Sequence, residues 1–176
     1  MPFLIAAVVL VGAIAVLNLL LTMAVIRRLR RNEEANAMPP MMDSGPKVGT
    51  PLPEFTATSV AGDTVDHEAL AGKAGIVAFF STTCSACKPA APQLISHVEN
   101  SKLTPGQVLV VINGEGDERA EFTEMFDGKA VVVTEGAMGA LTTAFSINAF
   151  PSFVHYDDGG TVTNSHSGAG SLTEAA

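Results

Sequence analysis

The two cysteines of the chain are the feature that most restricts its fold. Cys84 and Cys87 are separated by two residues, and a wholly apolar run at residues 76–80 ends just before them. Such a run is typical of a strand covered on both faces, and the apolar spacing over residues 84–100 predicts a helix directly after it. The sequence therefore predicts two thiols at a strand-to-helix turn. With no further cysteine, the chain cannot form a multi-bridge secreted scaffold or a four-cysteine zinc site.

The positions of the two thiols predict their roles. Cysteines at this spacing can join in a disulfide across one helical turn. At the start of a helix, unpaired N–H groups and the helix dipole favour the thiolate of Cys84, and Lys88 could add positive charge. We therefore expect Cys84 to attack a partner disulfide or thiol, and Cys87, buried one turn later, to resolve the mixed disulfide.

The segments around the cysteines predict an α/β domain. The order β-α-β-α-β-α-β-β indicates parallel strands joined by helices and closed by an antiparallel hairpin. We predict strands at residues 76–80, 107–112, 130–133, 152–156 and 161–164, and helices at residues 84–100, 117–126 and 137–145.

The first part of the chain predicts a membrane anchor. Residues 3–26 carry no charge, and as a helix they would be about 36 Å long, enough to cross a hydrocarbon core of about 30 Å. A signal peptide fits poorly, because no basic region precedes the run and the small-residue pattern at 35–37 lies well beyond it. We predict a single transmembrane helix in the lipid bilayer, a basic collar and linker at residues 27–47, and one domain at residues 48–176.

Charge is distributed unevenly along the chain. Four arginines directly follow the predicted span (Arg27, Arg28, Arg30 and Arg31), and by the positive-inside rule they place the domain in the cytoplasm. From Asn32 onward the chain has six basic and 18 acidic residues, a net charge of −12. Such a domain repels phosphate backbones, so we expect no nucleic-acid partner.

Several motifs together resemble the thioredoxin superfamily. These are the spacing Cys-x-x-Cys-Lys-x-x-x-Pro over residues 84–92 and the segment AFPSF at 149–153. The entry segment VGTPLPEF at 48–55, followed by DTVDHEALAGK at 63–73, resembles the TlpA/ResA-like redoxin branch. Residues 79–88, together with the predicted span, are most similar to the MauD-type proteins of methylamine utilisation.

The resemblance implies a thioredoxin-like fold, a central mixed sheet flanked by helices, and thiol–disulfide oxidoreductase activity. It implies partner protein thiols or disulfides, an upstream redox partner, and no metal or cofactor beyond the redox-active disulfide. Tethered relatives often work outside the cytoplasm, opposite to the side that the arginines favour. The implied site residues are Cys84 (nucleophile), Cys87 (resolving cysteine), Pro151 (cis-proline of the substrate groove) and Lys88 (tuning), with Thr83, Ser85, Ala86 and Phe150 in contact with substrate.

The chain departs from the resemblance at three places. Thr83 stands where relatives often have Trp, and Ala78 stands where many thioredoxins have a buried acid that accepts the proton of the resolving thiol. Glu54 or Glu68 could substitute for that acid. Residues 171–174 have the form of a capping box, but the chain stops two residues later, so we expect the closing helix to be absent or vestigial.

Other functions fit the sequence less well. A zinc site needs two more ligands, and the histidines show no short His-x-x-His spacing: His67, His97, His155 and His166. Copper chaperones of this fold usually space their cysteines by three residues and add a downstream histidine. Peroxiredoxins often carry Pro-x-x-x-Thr-x-x-Cys, and here Val77 and Ser81 stand at the Pro and Thr positions. An adaptor acting through the acidic helix at residues 117–126 is the fourth alternative.

Overall fold

The computed structural model describes residues 44–168, together with Gly12 and Met23. The predicted transmembrane span at residues 3–26, apart from those two residues, and the predicted closing segment at residues 171–174 lie outside the described residues. Within the described part of the chain, no helix is both long enough and apolar enough to cross a membrane.

The described residues follow the predicted order of elements, with a small hairpin in front. The strands are β1 (Thr56–Thr58), β2 (Thr64–Asp66), β3 (Gly75–Ser81), β4 (Val108–Asn113), β5 (Val131–Glu135), β6 (Ser152–Tyr156) and β7 (Val162–Ser167). The helices are α1 (His67–Leu70), α2 (Cys87–Asn100), α3 (Asp117–Phe126) and α4 (Ala140–Ala144), and a 3-10 helix (Pro105–Gln107) precedes β4.

Five of the strands form one mixed sheet in the order β5-β4-β3-β6-β7, and β1 pairs with β2. β3, β4 and β5 run parallel, whereas β6 is antiparallel to β3 and β7 is antiparallel to β6. This confirms the predicted α/β architecture with a closing hairpin. All residues of β3 are buried, because β3 is paired on both edges and covered on both faces.

The alternation of side chains along β3 divides the core into two layers. Ile76, Ala78 and Phe80 belong to the layer that contains α2 and α3. Val77 and Phe79 belong to the layer that contains α4 and the β1–β2 hairpin. Full burial of a Phe side chain stabilises the fold by about 1.5–3 kcal/mol, so the apolar run of the sequence accounts for the central place of this strand.

The predicted start of the cysteine helix is wrong by three residues. α2 begins at Cys87, whereas residues 84–86 form a turn before it. The N–H of Cys84 donates to the carbonyl of Ser81 at 3.2 Å, and the N–H of Cys87 donates to the carbonyl of Cys84 at 3.1 Å. Each bond joins residues three apart, as in a 3-10 turn, so the chain turns here before the continuous helix begins.

Two other predicted boundaries also differ. The helix predicted at residues 137–145 is limited to Ala140–Ala144, because Met138 has a φ of 58°, which no right-handed helix allows. The last strand extends to Ser167 rather than residue 164, because β6 offers pairing partners along that length.

Three histidines that are far apart in sequence lie together against the α2 face of the sheet. The rings of His97 in α2 and His155 in β6 are 5.9 Å apart, and those of His155 and His166 in β7 are 5.5 Å apart. Burial lowers the pKa of His155 to about 4, with smaller effects from His166 and His97. Burial also lowers the pKa of His166.

This cluster predicts that the free energy of unfolding falls as the pH drops from about 6.5 to about 4. The unfolded chain protonates His155 near its ordinary pKa, whereas the folded chain does so only near 4. In this window protons therefore bind the unfolded state more strongly. The measurement is the thermal unfolding midpoint of the full-length protein at about pH 7.5 and about pH 4.5.

His155→Gln should remove part of this pH dependence. His67→Gln is the matched control, because it removes a histidine outside the cluster. Equal pH dependence in the two variants would contradict the prediction.

Candidate active site

The candidate site lies at the carboxyl ends of the parallel strands, where ligand sites of open α/β sheets usually form. β3 ends at Ser81, and residues 82–86 carry the chain from there to the start of α2. On the other side, residues 145–151 lead from α4 to β6. The two segments bring together residues that are widely separated in sequence.

Cys84 and the segment before β6 meet at one contact. The Cys84 thiol donates to the carbonyl oxygen of Phe150, with a distance of 3.2 Å from Sγ to O, across 66 residues of sequence. The Phe150–Pro151 peptide bond is cis, the form that the resemblance implies for Pro151. Cys84 is half-buried, so its sulfur lies at the surface beside this carbonyl.

Cys87 lies behind Cys84 and is fully buried as the first residue of α2. Its sulfur accepts a hydrogen bond from the N–H of Ser81 at 3.4 Å. Burial raises the pKa of the Cys87 thiol, and the neighbouring Cys84 thiol raises it further, while the bond from Ser81 lowers it. Both cysteines are free thiols. The pair is therefore asymmetric, with one accessible sulfur and one shielded sulfur that holds its proton tightly.

The structure places neither of the two expected substitutes for a buried acid beside Cys87. Ala78 is buried in the same core layer as Cys87. Glu54 and Glu68, however, are exposed. The groups that act on the Cys87 pKa are Cys84 and Ser81. Among the described residues, Cys87 thus has no carboxylate to accept its proton.

Lys88 is directed away from the core. Its Nζ lies 2.9 Å from Oε2 of Glu121 in α3, and both side chains are about half exposed. The hydrogen bond and the charge of Glu121 raise the pKa of Lys88. The predicted tuning charge is therefore paired with a carboxylate, which reduces the field that it can exert on the cysteines.

The other turn residues surround Cys84 at the surface. Thr83, Ser85 and Ala86 are exposed. The hydroxyl of Thr83 lies 3.0 Å from that of Ser81, and its N–H donates to the same hydroxyl at 3.3 Å. Within the described residues, the N–H groups of Ser85 and Ala86 donate no hydrogen bond. This arrangement leaves the sulfur of Cys84 approachable by a partner chain.

A polar cluster next to this site, formed by Asn113, Glu135 and Thr142, was not predicted from the sequence. Asn113 and Thr142 are buried, and their side chains lie 2.9 Å apart. The available signal was the polar residue that ends each of two apolar strands. The grouping of the histidines was also not predicted from the sequence. The described residues include no set of three or more His, Cys, Asp or Glu side chains that could hold a metal ion.

Comparison with known proteins gives a family match and a set of similar structures. The family model described as Redoxin matches residues 47–175. No curated protein sequence matches the chain.

The similar solved structures share the fold at low sequence identity. The thioredoxin domain of a thiol-disulfide oxidoreductase from Bacteroides vulgatus has a TM-score of 0.61 at 20% identity, over 73% of this chain and 94% of that one. A thiol:disulfide interchange protein of the thioredoxin family from Chlorobium tepidum has a TM-score of 0.58 at 24% identity, over 73% and 92%. A secreted disulfide oxidoreductase from Mycobacterium tuberculosis, homologous to E. coli DsbE, has a TM-score of 0.55 at 24% identity, over 68% and 90%. The fold is therefore thioredoxin-like.

Because no carboxylate of the described residues lies beside Cys87, we expect Ala78→Asp to speed the loss of the Cys87 proton. An acid in this buried position would lie in the same core layer as Cys87 and could accept its proton. We expect the intramolecular step that closes the Cys84–Cys87 disulfide to become several-fold faster. The measurement is the decay of the glutathione adduct of Cys84, followed by quenching and mass spectrometry.

Ala78→Asn is the matched control, because it adds a similar volume and a buried polar group but no proton acceptor. Both variants should lose stability by about 1–3 kcal/mol through burial of a polar group. Equal closure rates in the two variants would show that proton transfer from Cys87 does not limit the step.

Proposed function

The chain belongs to the redoxin family, and we propose that it is a membrane-tethered thiol–disulfide oxidoreductase whose Cys84–Cys87 pair exchanges a disulfide with protein partners. The observation that carries the proposal is the asymmetry of the two thiols. Cys84 is half-buried and contacts the carbonyl of Phe150, whereas Cys87 is fully buried behind it. An accessible thiol backed by a shielded one is the arrangement that a two-step exchange needs.

In the first step, the sulfur of Cys84 attacks one sulfur of a partner disulfide. A bond forms between Cys84 and the partner, the partner's own S–S bond breaks, and the released sulfur takes up a proton. The exposed side chains of Thr83, Ser85 and Ala86 lie around the attacking sulfur and would contact the partner. The carbonyl of Phe150, ahead of cis Pro151, would pair with the partner backbone next to its cysteine.

In the second step, Cys87 loses its proton and attacks the sulfur of Cys84. The Cys84–Cys87 disulfide forms, the mixed disulfide breaks, and the partner leaves as a dithiol. Two electrons and two protons pass from the pair to the partner. The same steps in reverse oxidise a partner dithiol, and an upstream redox partner would return the pair to its starting state. No cofactor is needed beyond the disulfide itself.

We also propose that the chain stands in the TlpA/ResA-like branch, close to the MauD-type proteins. The entry segment supports this, because it is part of the folded domain. Leu52 and Phe55 are buried in the core, and the ring of Phe55 lies 5.7 Å from that of Phe145. Pro51 forms a bridge with Thr161 next to the last hairpin. The uncharged residues 3–26 support the membrane anchor.

Substitution of each cysteine should give a different outcome. Cys84→Ser should abolish reduction of a protein disulfide such as that of insulin, because the attacking sulfur is lost. Cys87→Ser should instead accumulate a covalent mixed disulfide with the partner, visible on a non-reducing gel and removed by dithiothreitol. Cys84→Ser protein that retains full activity would contradict the proposed function.

Labelling of Cys84 in intact cells tests the side of the membrane. The arginines at the end of the predicted span favour a cytoplasmic domain. We therefore expect a membrane-impermeant maleimide to label Cys84 only after the cells are made permeable. Cys84→Ser provides the background signal, and labelling of intact cells would instead place the domain outside the cytoplasm.

A further inference from the structure

A polar cluster of Asn113, Glu135 and Thr142 lies behind the candidate active site, and the proposed exchange does not use it. Asn113 and Glu135 are the last residues of β4 and β5, and the register pairs them with each other. Asn113 is also the register partner of Ser81, the last residue of β3. Thr142 lies in α4. We call these three residues the strand-end cluster.

The strand-end cluster is bound together by side-chain hydrogen bonds. The Glu135 carboxylate accepts from the N–H groups of Leu141 and Thr142 at 3.0 Å each, and from the hydroxyl of Thr142. The Asn113 amide, oriented so that its polar atoms are satisfied, donates to Oε1 of Glu135 and to the carbonyl of Gly136, both at 3.2 Å. Because Thr142 and Asn113 are buried, water cannot readily replace these bonds.

Asn113, at one end of the cluster, is hydrogen-bonded to the turn that carries Cys84. The carbonyl of Asn113 accepts a hydrogen bond from the N–H of Thr82 at 2.9 Å. Gly114, the next residue, packs against Thr82 so closely that a Cβ on it would lie 2.0 Å from the Thr82 hydroxyl. A displacement of Asn113 would therefore move the start of the turn.

Thr142, at the other end of the cluster, is hydrogen-bonded to the segment that carries Phe150. The carbonyl of Thr142 accepts from the N–H of Ile147 at 2.9 Å, and Ile147 is buried. The cis Phe150–Pro151 bond follows three residues later. The cluster thus contacts both segments that meet at the Cys84 sulfur.

We propose that Asn113, Glu135 and Thr142 are positioning residues that hold the Phe150–Pro151 segment against Cys84 for attack on a protein disulfide. This inference rests on the proposed function. A reaction between two held groups depends steeply on their geometry. A protein disulfide has to dock on this segment, whereas a small alkylating reagent reaches Cys84 without docking. Loss of the cluster should therefore slow the first reaction and leave the second nearly unchanged.

Thr142→Val tests the proposal, because it keeps the shape of the side chain and removes the hydroxyl that contacts Glu135 and Asn113. Two rates are measured on the full-length protein in detergent: reduction of insulin, and alkylation of Cys84 by iodoacetamide. We expect insulin reduction to fall about tenfold, equivalent to about 1.4 kcal/mol, and alkylation to change less than about twofold. Thr142→Ser, which keeps the hydroxyl, should restore most of the rate.

Thr143→Val is the matched control on the same helix. Its hydroxyl donates to the carbonyl of Gly139 at 2.9 Å and lies outside the cluster, so we expect both rates to stay near wild type. Equal insulin rates in Thr142→Val and Thr143→Val would overturn the positioning role. A loss of both rates in Thr142→Val would also overturn it, because that result indicates general disruption.

A second variant keeps the test informative where Thr142→Val does not fold. Glu135→Gln keeps the length of the side chain but turns an amide N–H₂ towards backbone N–H donors, and we expect the same split between the two rates. Equal fractional changes in the two rates of a folded Glu135→Gln protein would overturn the proposal. Wild-type protein that is alkylated at Cys84 but cannot reduce insulin would overturn the proposed function itself, and the positioning role with it.

Discussion

The burial of β3 on both faces and its pairing on both edges is the constraint on which the rest of the structure depends. The strand has no solvent-facing position, so after Gly75 the chain first reaches the surface beyond Ser81, in the turn that carries Cys84. α2 then packs back onto β3, and the small side chains of Ala78 and Ala90 are completely buried in the layer between them. This packing buries Cys87 while Cys84, still in the turn, stays at the surface. The difference between the two thiols therefore follows from the position of one strand.

The second half of the site reaches Cys84 through a different part of the fold. β6 pairs with the opposite edge of β3 from β4, so the segment that enters β6 necessarily passes close to the end of β3. The contact between the Cys84 thiol and the Phe150 carbonyl is a consequence of that strand order. Hydrogen bonds from Asn113 at the end of β4 and Glu135 at the end of β5 then fix α4, from which the segment departs. The contact between Cys84 and Phe150 involves only two residues, but strands on both sides of β3 keep those residues in place.

The sequence predicted the parts of this structure that depend on local periodicity. Apolar runs identified the buried strands, and the spacing of the cysteines identified the turn where the site lies. The start of α2 was predicted three residues too early, because Cys84 in the turn packs against the same core layer as Cys87 and so extends the apolar pattern of the helix. The groupings of His97 with His155, and of Asn113 with Thr142, were missed. They arise from strand pairing and helix packing between distant segments, which leave no periodic signal in a single sequence.

The burial that makes Cys87 a resolving thiol also sets the condition for its attack on Cys84. A cysteine attacks a disulfide as its thiolate, so Cys87 has to lose its proton first. Here burial raises the pKa of Cys87, and the one described group that favours its thiolate is the N–H of Ser81. Lys88, the nearest basic residue in sequence, is paired with Glu121 instead. The described residues thus give little electrostatic help to the loss of the Cys87 proton, which makes that loss the demanding part of the proposed exchange.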